Sequence, residues 1–255
     1  MVISTMGPWA IAVISAKGLA GSEYFNAAIY FFLHFQYNGW FAFAIIGLFF
    51  WLLGAEAQNQ YKEMQEAVPV GVGAMAAILG LDFETVKAVA EEAAQGEICQ
   101  AANDNDPGQV VVSGHKDAVE RATVIAKEKG AKRALLLPVS APFHCALMAP
   151  AAAAMAQALS DVAINAPAVP LVANVVASAV TDPATIRSLL VEQVTGSVRW
   201  RESVGYMAAQ GVTEIYEIGA GKALCGMVKR IDRTLTATAV GTPENVTAAA
   251  AVLNA

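Results

Sequence analysis

Among the side chains able to move a proton near neutral pH, His144 stands in the most constrained setting. It lies in LPVSAPFHCALM, where Pro138, Pro142 and Phe143 hold an imidazole rigidly and partly out of water. A histidine so placed can serve as a general base, and a purely structural role is the competing reading of the local sequence. His34 lies in an apolar stretch, and His115 opens a helix at the end of a strand, where a capping or surface role is the default. Cys99, Cys145 and Cys225 are scattered, with no CxxC pair and no histidine at metal-ligand spacing, so neither a zinc site nor a disulfide framework is expected. Their expected role is core filling in a reducing compartment.

The elements that must position these groups follow from periodicity and turn residues. Gly73 to Leu79 reads as a short buried strand, Asp82 to Gln95 as an amphipathic helix with Asp82 as N-cap, and Glu97 to Ala102 as a strand. The polar run Asn103 to Gly108 reads as a turn. The strand Gln109 to Ser113, a helix from Lys116 to Lys129 and the strand Ala134 to Val139 complete a βαββαβ order, the ferredoxin-like split unit. Beyond it, helices are expected over Cys145 to Leu159, Pro183 to Val194, Arg201 to Gln210 and Ala223 to Thr234, and from Pro243 onward. Strands are expected over Val169 to Asn174, Glu214 to Ile218 and Thr236 to Val240. Strands separated by helices imply a parallel sheet covered on both faces, though three strands make a thin one.

Composition divides the chain. Across 255 residues, apolar types make up 56% and charged types 15%, with mean hydropathy +0.48 and net charge -6. This excludes a disordered or collagen-like chain, and the charge argues against a nucleic-acid partner. Before Glu56 the only charged side chains are Lys17 and Glu23. Residues 25–53 exceed the roughly 20 apolar residues that a bilayer-spanning helix needs, so a transmembrane or re-entrant helix and membrane association are expected there. A signal peptide ending near Ala55-Glu56-Ala57 is the competing reading. The expected domains are a hydrophobic segment over 1–57, the ferredoxin-like subdomain over 68–139 and a further α/β domain over 140–255.

MQEAVPVGVGAMAAILGL, NDNDPGQVVVSGHKDAVERA, GAKRALLLPVSAPFHCALMAPAA, NAPAVPLVANV and YEIGAGKALCGMVKRI resemble, in order, the malonyl-CoA:acyl carrier protein transacylases of bacterial fatty acid synthesis. The resemblance covers about residues 61–255. It implies an α/β fold: part of an α/β-hydrolase-like acyltransferase large domain with an inserted ferredoxin-like subdomain. It implies ping-pong transfer of malonyl from coenzyme A to acyl carrier protein in the cytoplasm, with coenzyme A thioester as substrate and no separate cofactor or metal. It places His144 on the family's general base and Gln193 on the residue whose backbone carbonyl orients that imidazole. It places Phe143 on a phenylalanine that crowds an extra α-methyl group and so favours malonyl.

Departures from the family pattern are equally specific. No Gly-x-Ser-x-Gly occurs in the sequence, so the nucleophile elbow and its oxyanion-hole amide are missing. By family spacing the nucleophile column falls near Phe35, and the column of the malonate-binding arginine holds Gln60. The expectation is a transacylase relative inactive on its own. The alternatives are a membrane-tethered, non-catalytic module that binds acyl carrier protein, or a chimeric or truncated gene product joined near Ala57 to Gln60. Lys116, Lys127, Lys129, Lys132 and Arg133, with Lys222, Lys229 and Arg230, read either as contacts for an acidic partner or as solvated helix faces. Gly219 to Gly221 lacks full P-loop spacing and reads as a turn.

Overall fold

The uncharged run GAMAAIL forms strand β1 (Gly73–Leu79), an inner strand of a four-stranded sheet. The computed structural model describes residues 67–139, 141–219 and 221–253. Helix α1 (Phe83–Ala94) starts where the Asp82 carboxylate accepts from the Thr85 amide at 2.8 Å, and it stops at Gln95 and Gly96, both at positive φ. Strands β2 (Cys99–Asp106) and β3 (Gln109–His115) form a hairpin, followed by helix α2 (Lys116–Glu128) and strand β4 (Arg133–Leu136). The order β2-β3-β1-β4, antiparallel throughout, is the ferredoxin-like arrangement read from the sequence.

Small side chains explain how closely the two layers pack. Val86, Val89, Ala90 and Ala93 of α1 and Ala118, Val119, Ala122 and Ala126 of α2 are buried against Ala76, Ile78, Val110 and Val112. Each Val or Ile so buried contributes about 1.5–3 kcal/mol. The expected turn over Asn103 to Gly108 is shorter than its composition suggests. Asn103, Asp104, Asn105 and Asp106 continue β2 through two bulges, and only Pro107 and Gly108 turn. The strand continues because a later segment supplies partners to Asn103 and Asp104, as described below, while Asp106 accepts from the Gly108 amide at 3.0 Å.

After β4 the chain forms a 3-10 turn (Ala146–Met148) and helix α3 (Ala149–Ser160), so the helix expected from Cys145 starts later. Pro150 sits in its first turn, where a missing N–H costs no helical bond. Strands β5 (Leu171–Ala173) and β6 (Ser178–Val180) form a short antiparallel hairpin, and β6 was not foreseen. Helices α4 (Pro183–Thr195) and α5 (Trp200–Ala209) follow. Two compact units divide at Gln210 and Gly211, so 141–210 belong with the βαββαβ unit.

The second unit holds β7 (Glu214–Ile218), α6 (Ala223–Ile231), β8 (Thr236–Val240) and α7 (Pro243–Leu253), with β7 and β8 paired in parallel. The expected sheet of three parallel strands is thus corrected. Of those strands, the one after Val169 pairs instead with β6 in antiparallel fashion, because the turn at Asn174 to Ala177 folds the chain straight back. Among the described residues no helix is long and apolar enough to cross a membrane. The expected membrane segment, residues 1–57 including 25–53, lies outside the described residues, as do Phe35 and Gln60.

Candidate acid-base site

A helix leaves its last carbonyls without intrahelical donors, and α4 uses one of them for a side chain 49 residues away. The Gln193 carbonyl lies 2.9 Å from His144 Nδ1. A carbonyl only accepts, so Nδ1 carries the proton and donates it, which leaves the basic lone pair on Nε2. The Gln193 side chain turns to the same helix end, its Nε2 donating to the Gly196 carbonyl at 2.9 Å. His144 and Gln193 are both buried.

Burial governs the electrostatics of the imidazole. It pushes the His144 pKa down to about 4, against the upward pull of the Gln193 and Gly196 carbonyls. The negative end of α4 works in the same upward direction, but removal from water wins. At neutral pH the imidazole is therefore uncharged and able to accept a proton.

The loop carrying His144 is fixed at both ends. The Leu137 amide donates to the Met75 carbonyl at 2.8 Å, extending the β4 pairing by one residue. Pro142 covers Gly73 so closely that a Cβ there would lie 2.3 Å from its ring. Cys145 Sγ donates to the Pro142 carbonyl at 3.1 Å, and the Ala146 amide donates to Gln100 Oε1 at 2.7 Å. His144 itself has φ +58°, in the left-handed region. Phe143, beside it, is buried.

Cysteine is another residue type that could act as a nucleophile beside a general base. All three are buried and unbonded to one another, and burial raises each thiol: Cys99 and Cys225 to about 12, and Cys145 in the same direction. Raised thiols remain protonated at neutral pH and make poor nucleophiles. Among the described residues no cluster of metal-ligating side chains occurs.

His115 does not cap α2 through its side chain; its Nδ1 accepts from the Ile98 amide at 2.9 Å, tying the start of β2 to the end of β3. In the second unit, the helix end after Gly219 and Gly221 is already satisfied. Glu217, buried, accepts from the Leu224 and Cys225 amides at 3.2 and 2.7 Å. A carboxylate thus fills the place a phosphate would need, which agrees with a turn.

Sequence reasoning missed Gln100, Asp104 and Arg201. Arg201 Nε lies 3.0 and 2.9 Å from the two Asp104 oxygens, and its Nη2 lies 2.8 Å from Oδ2. The Asp104 side chain is 1% exposed. Burial raises its pKa, and Arg201 pulls the other way. The only local signal was four polar residues between strand-forming runs, which is also what a turn looks like.

No protein-family model matches the chain. Similar proteins are nevertheless plain. The malonyl CoA-acyl carrier protein transacylase of Escherichia coli K12 is 54% identical over 188 residues, covering 74% of this chain and 61% of the relative. The crystal structure of FabD from Acinetobacter baumannii matches with a TM-score of 0.74 at 36% identity, over 83% of this chain and 67% of that one. A type II polyketide acyl-carrier protein in complex with its malonyl-transacylase matches with a TM-score of 0.73 at 45% identity, over 79% of this chain and 64% of that one. The chain spans about three fifths of the length of the curated relatives it matches.

Proposed function

The chain belongs to the malonyl-CoA:acyl carrier protein transacylase family, and from that premise we propose that it carries the acid-base half of a malonyl transfer site without the nucleophile. The observation that carries this reading is the buried His144 imidazole with Nδ1–H donated to the Gln193 carbonyl at 2.9 Å. A carbonyl there does the orienting work that a carboxylate does in a serine triad, and Nε2 becomes the general base. In the full reaction such a base takes the proton of a serine that attacks the malonyl thioester. The leaving coenzyme A thiolate takes a proton back, and the phosphopantetheine thiol of acyl carrier protein then collects the malonyl group. Phe143 contributes by crowding the α-carbon, which favours malonyl over a branched unit.

Acyl carrier protein is the partner this reading assigns, in the cytoplasm where malonyl-CoA is available. The acyl-carrier-protein complex of a 45% identical relative supports that assignment. Without Gly-x-Ser-x-Gly, and with Gln60 in the arginine column, the sequence offers His144 no nucleophile elbow and no arginine at the family's place for the malonyl carboxylate. The purified chain is therefore expected to transfer no malonyl above a His144→Ala control. Transfer from malonyl-CoA to acyl carrier protein that depends on His144 would overturn the inactivity. Binding of acyl carrier protein, tested on the same preparation, separates a retained partner surface from a remnant that has lost it.

A further inference from the structure

The base and its acceptor come from distant parts of the chain, yet both are hung from one strand. Gln100 Oε1 accepts from the Ala146 amide at 2.7 Å, two residues past His144. The next carbonyl, of Ala101, accepts from Ser197 Oγ at 2.5 Å, four residues past Gln193. Val198 then donates to the Ala102 carbonyl at 2.8 Å, and the Asp104 amide donates to the Val198 carbonyl at 2.9 Å. Asn103 and Val198 make a parallel bridge, and the Arg201 guanidinium closes the series on the buried Asp104 carboxylate. Five consecutive residues of β2, 100 to 104, thus hold the segment after His144 on one side and the segment after Gln193 on the other.

We propose that Gln100 and Asp104 are positioning residues, which hold the His144 imidazole and the Gln193 carbonyl at hydrogen-bond distance through the segments they anchor. This rests on the reading of His144 as a base. The hydrogen bonds of the two side chains run to Ala146 and Arg201, so each acts on the imidazole through the segment it anchors. The bulges at Ala102 and Asn105 are the backbone adjustment that lets β2 present Asp104 to Arg201 while still pairing with β3. A buried carboxylate with a guanidinium partner fixes a register strongly, because any slip leaves the charge unpaired.

The test is nuclear magnetic resonance on the full 15N-labelled chain, following solvent exchange of the His144 Nδ1 proton and the backbone amides of Ala76 and Ile78. The variants are Gln100→Ala, an exposed change that threatens no core, and Asp104→Asn, which keeps the shape. The proposal expects Nδ1–H exchange to rise by about tenfold or more in both variants, with the two sheet amides changed less than about twofold. It is overturned if Nδ1–H exchange stays within about twofold of wild type in either variant, or if it rises only in step with the sheet amides, as a merely structural role requires. No substrate enters this measurement, so an absence of malonyl transfer leaves it intact, and a failed exchange result leaves the transfer reading standing.

Discussion

The βαββαβ sheet and the segment carrying His144 and Gln193 are buried by different means. Between β1 and its helices, small apolar side chains with near-zero exposure share the work, and no single contact is decisive. Around His144 apolar neighbours such as Ala141, Phe143 and Val194 are joined by directional hydrogen bonds: His144 to the Gln193 carbonyl, the Ala146 amide to Gln100, and Arg201 to Asp104. Distributed apolar contacts supply stability and tolerate adjustment, whereas a few directional bonds supply position and tolerate little. A change in the first region should appear as lost stability, and a change in the second as altered proton behaviour.

The largest effect expected on the apolar side is Ile78→Ala, a buried deletion at the sheet centre that should cost about 4 kcal/mol in urea unfolding. Its His144 proton should stay hydrogen-bonded wherever the chain is folded. A comparable signature on the polar side is pH dependence. His144 is held near 4, below its unfolded value of 6.5, so the folded state keeps it neutral while the unfolded chain gains the proton. Its contribution is complete above pH 6.5 and is lost as pH falls from 6.5 to 4, by roughly 3 kcal/mol. A His144→Gln variant should lack that portion of the acid slope in unfolding titrations, and an unchanged slope would contradict the burial argument.

Smaller effects sharpen the contrast. Asp182 starts α4 by accepting from the Thr185 amide at 2.7 Å, and Asp182→Ala should cost about 1 kcal/mol in thermal or urea unfolding. Because the same helix carries Gln193 in its last turn, this variant should also loosen the His144 proton more than the equivalent cap loss at Asp82 does. Least of all, Lys116→Ala removes an exposed pair with Glu120 at 3.9 Å and should change stability by less than about 0.5 kcal/mol.

Legibility in the sequence followed how local each determinant is. The bounds of β1, β7 and β8 were readable because short apolar or β-branched runs sit between glycine, proline and charged residues. The βαββαβ order was readable from the change of period and the glycine at each helix end. The polar tail of β2 was not, since Asp104 is kept in a strand by Arg201, 97 residues later. His144 stood out by its loop alone, but its partner Gln193 is 49 residues away and entered only through resemblance to a family. Hairpin strand β6 escaped because three residues carry too little pattern to be told from loop.

The left-handed backbone at His144 sets chemistry against conformational ease. Glycine, and to a smaller degree asparagine, would relax that residue by about 1 kcal/mol, but neither carries a basic nitrogen. A His144→Asn variant therefore trades the basic nitrogen for backbone ease, and its unfolding compared with wild type measures what keeping an imidazole at this position costs the fold.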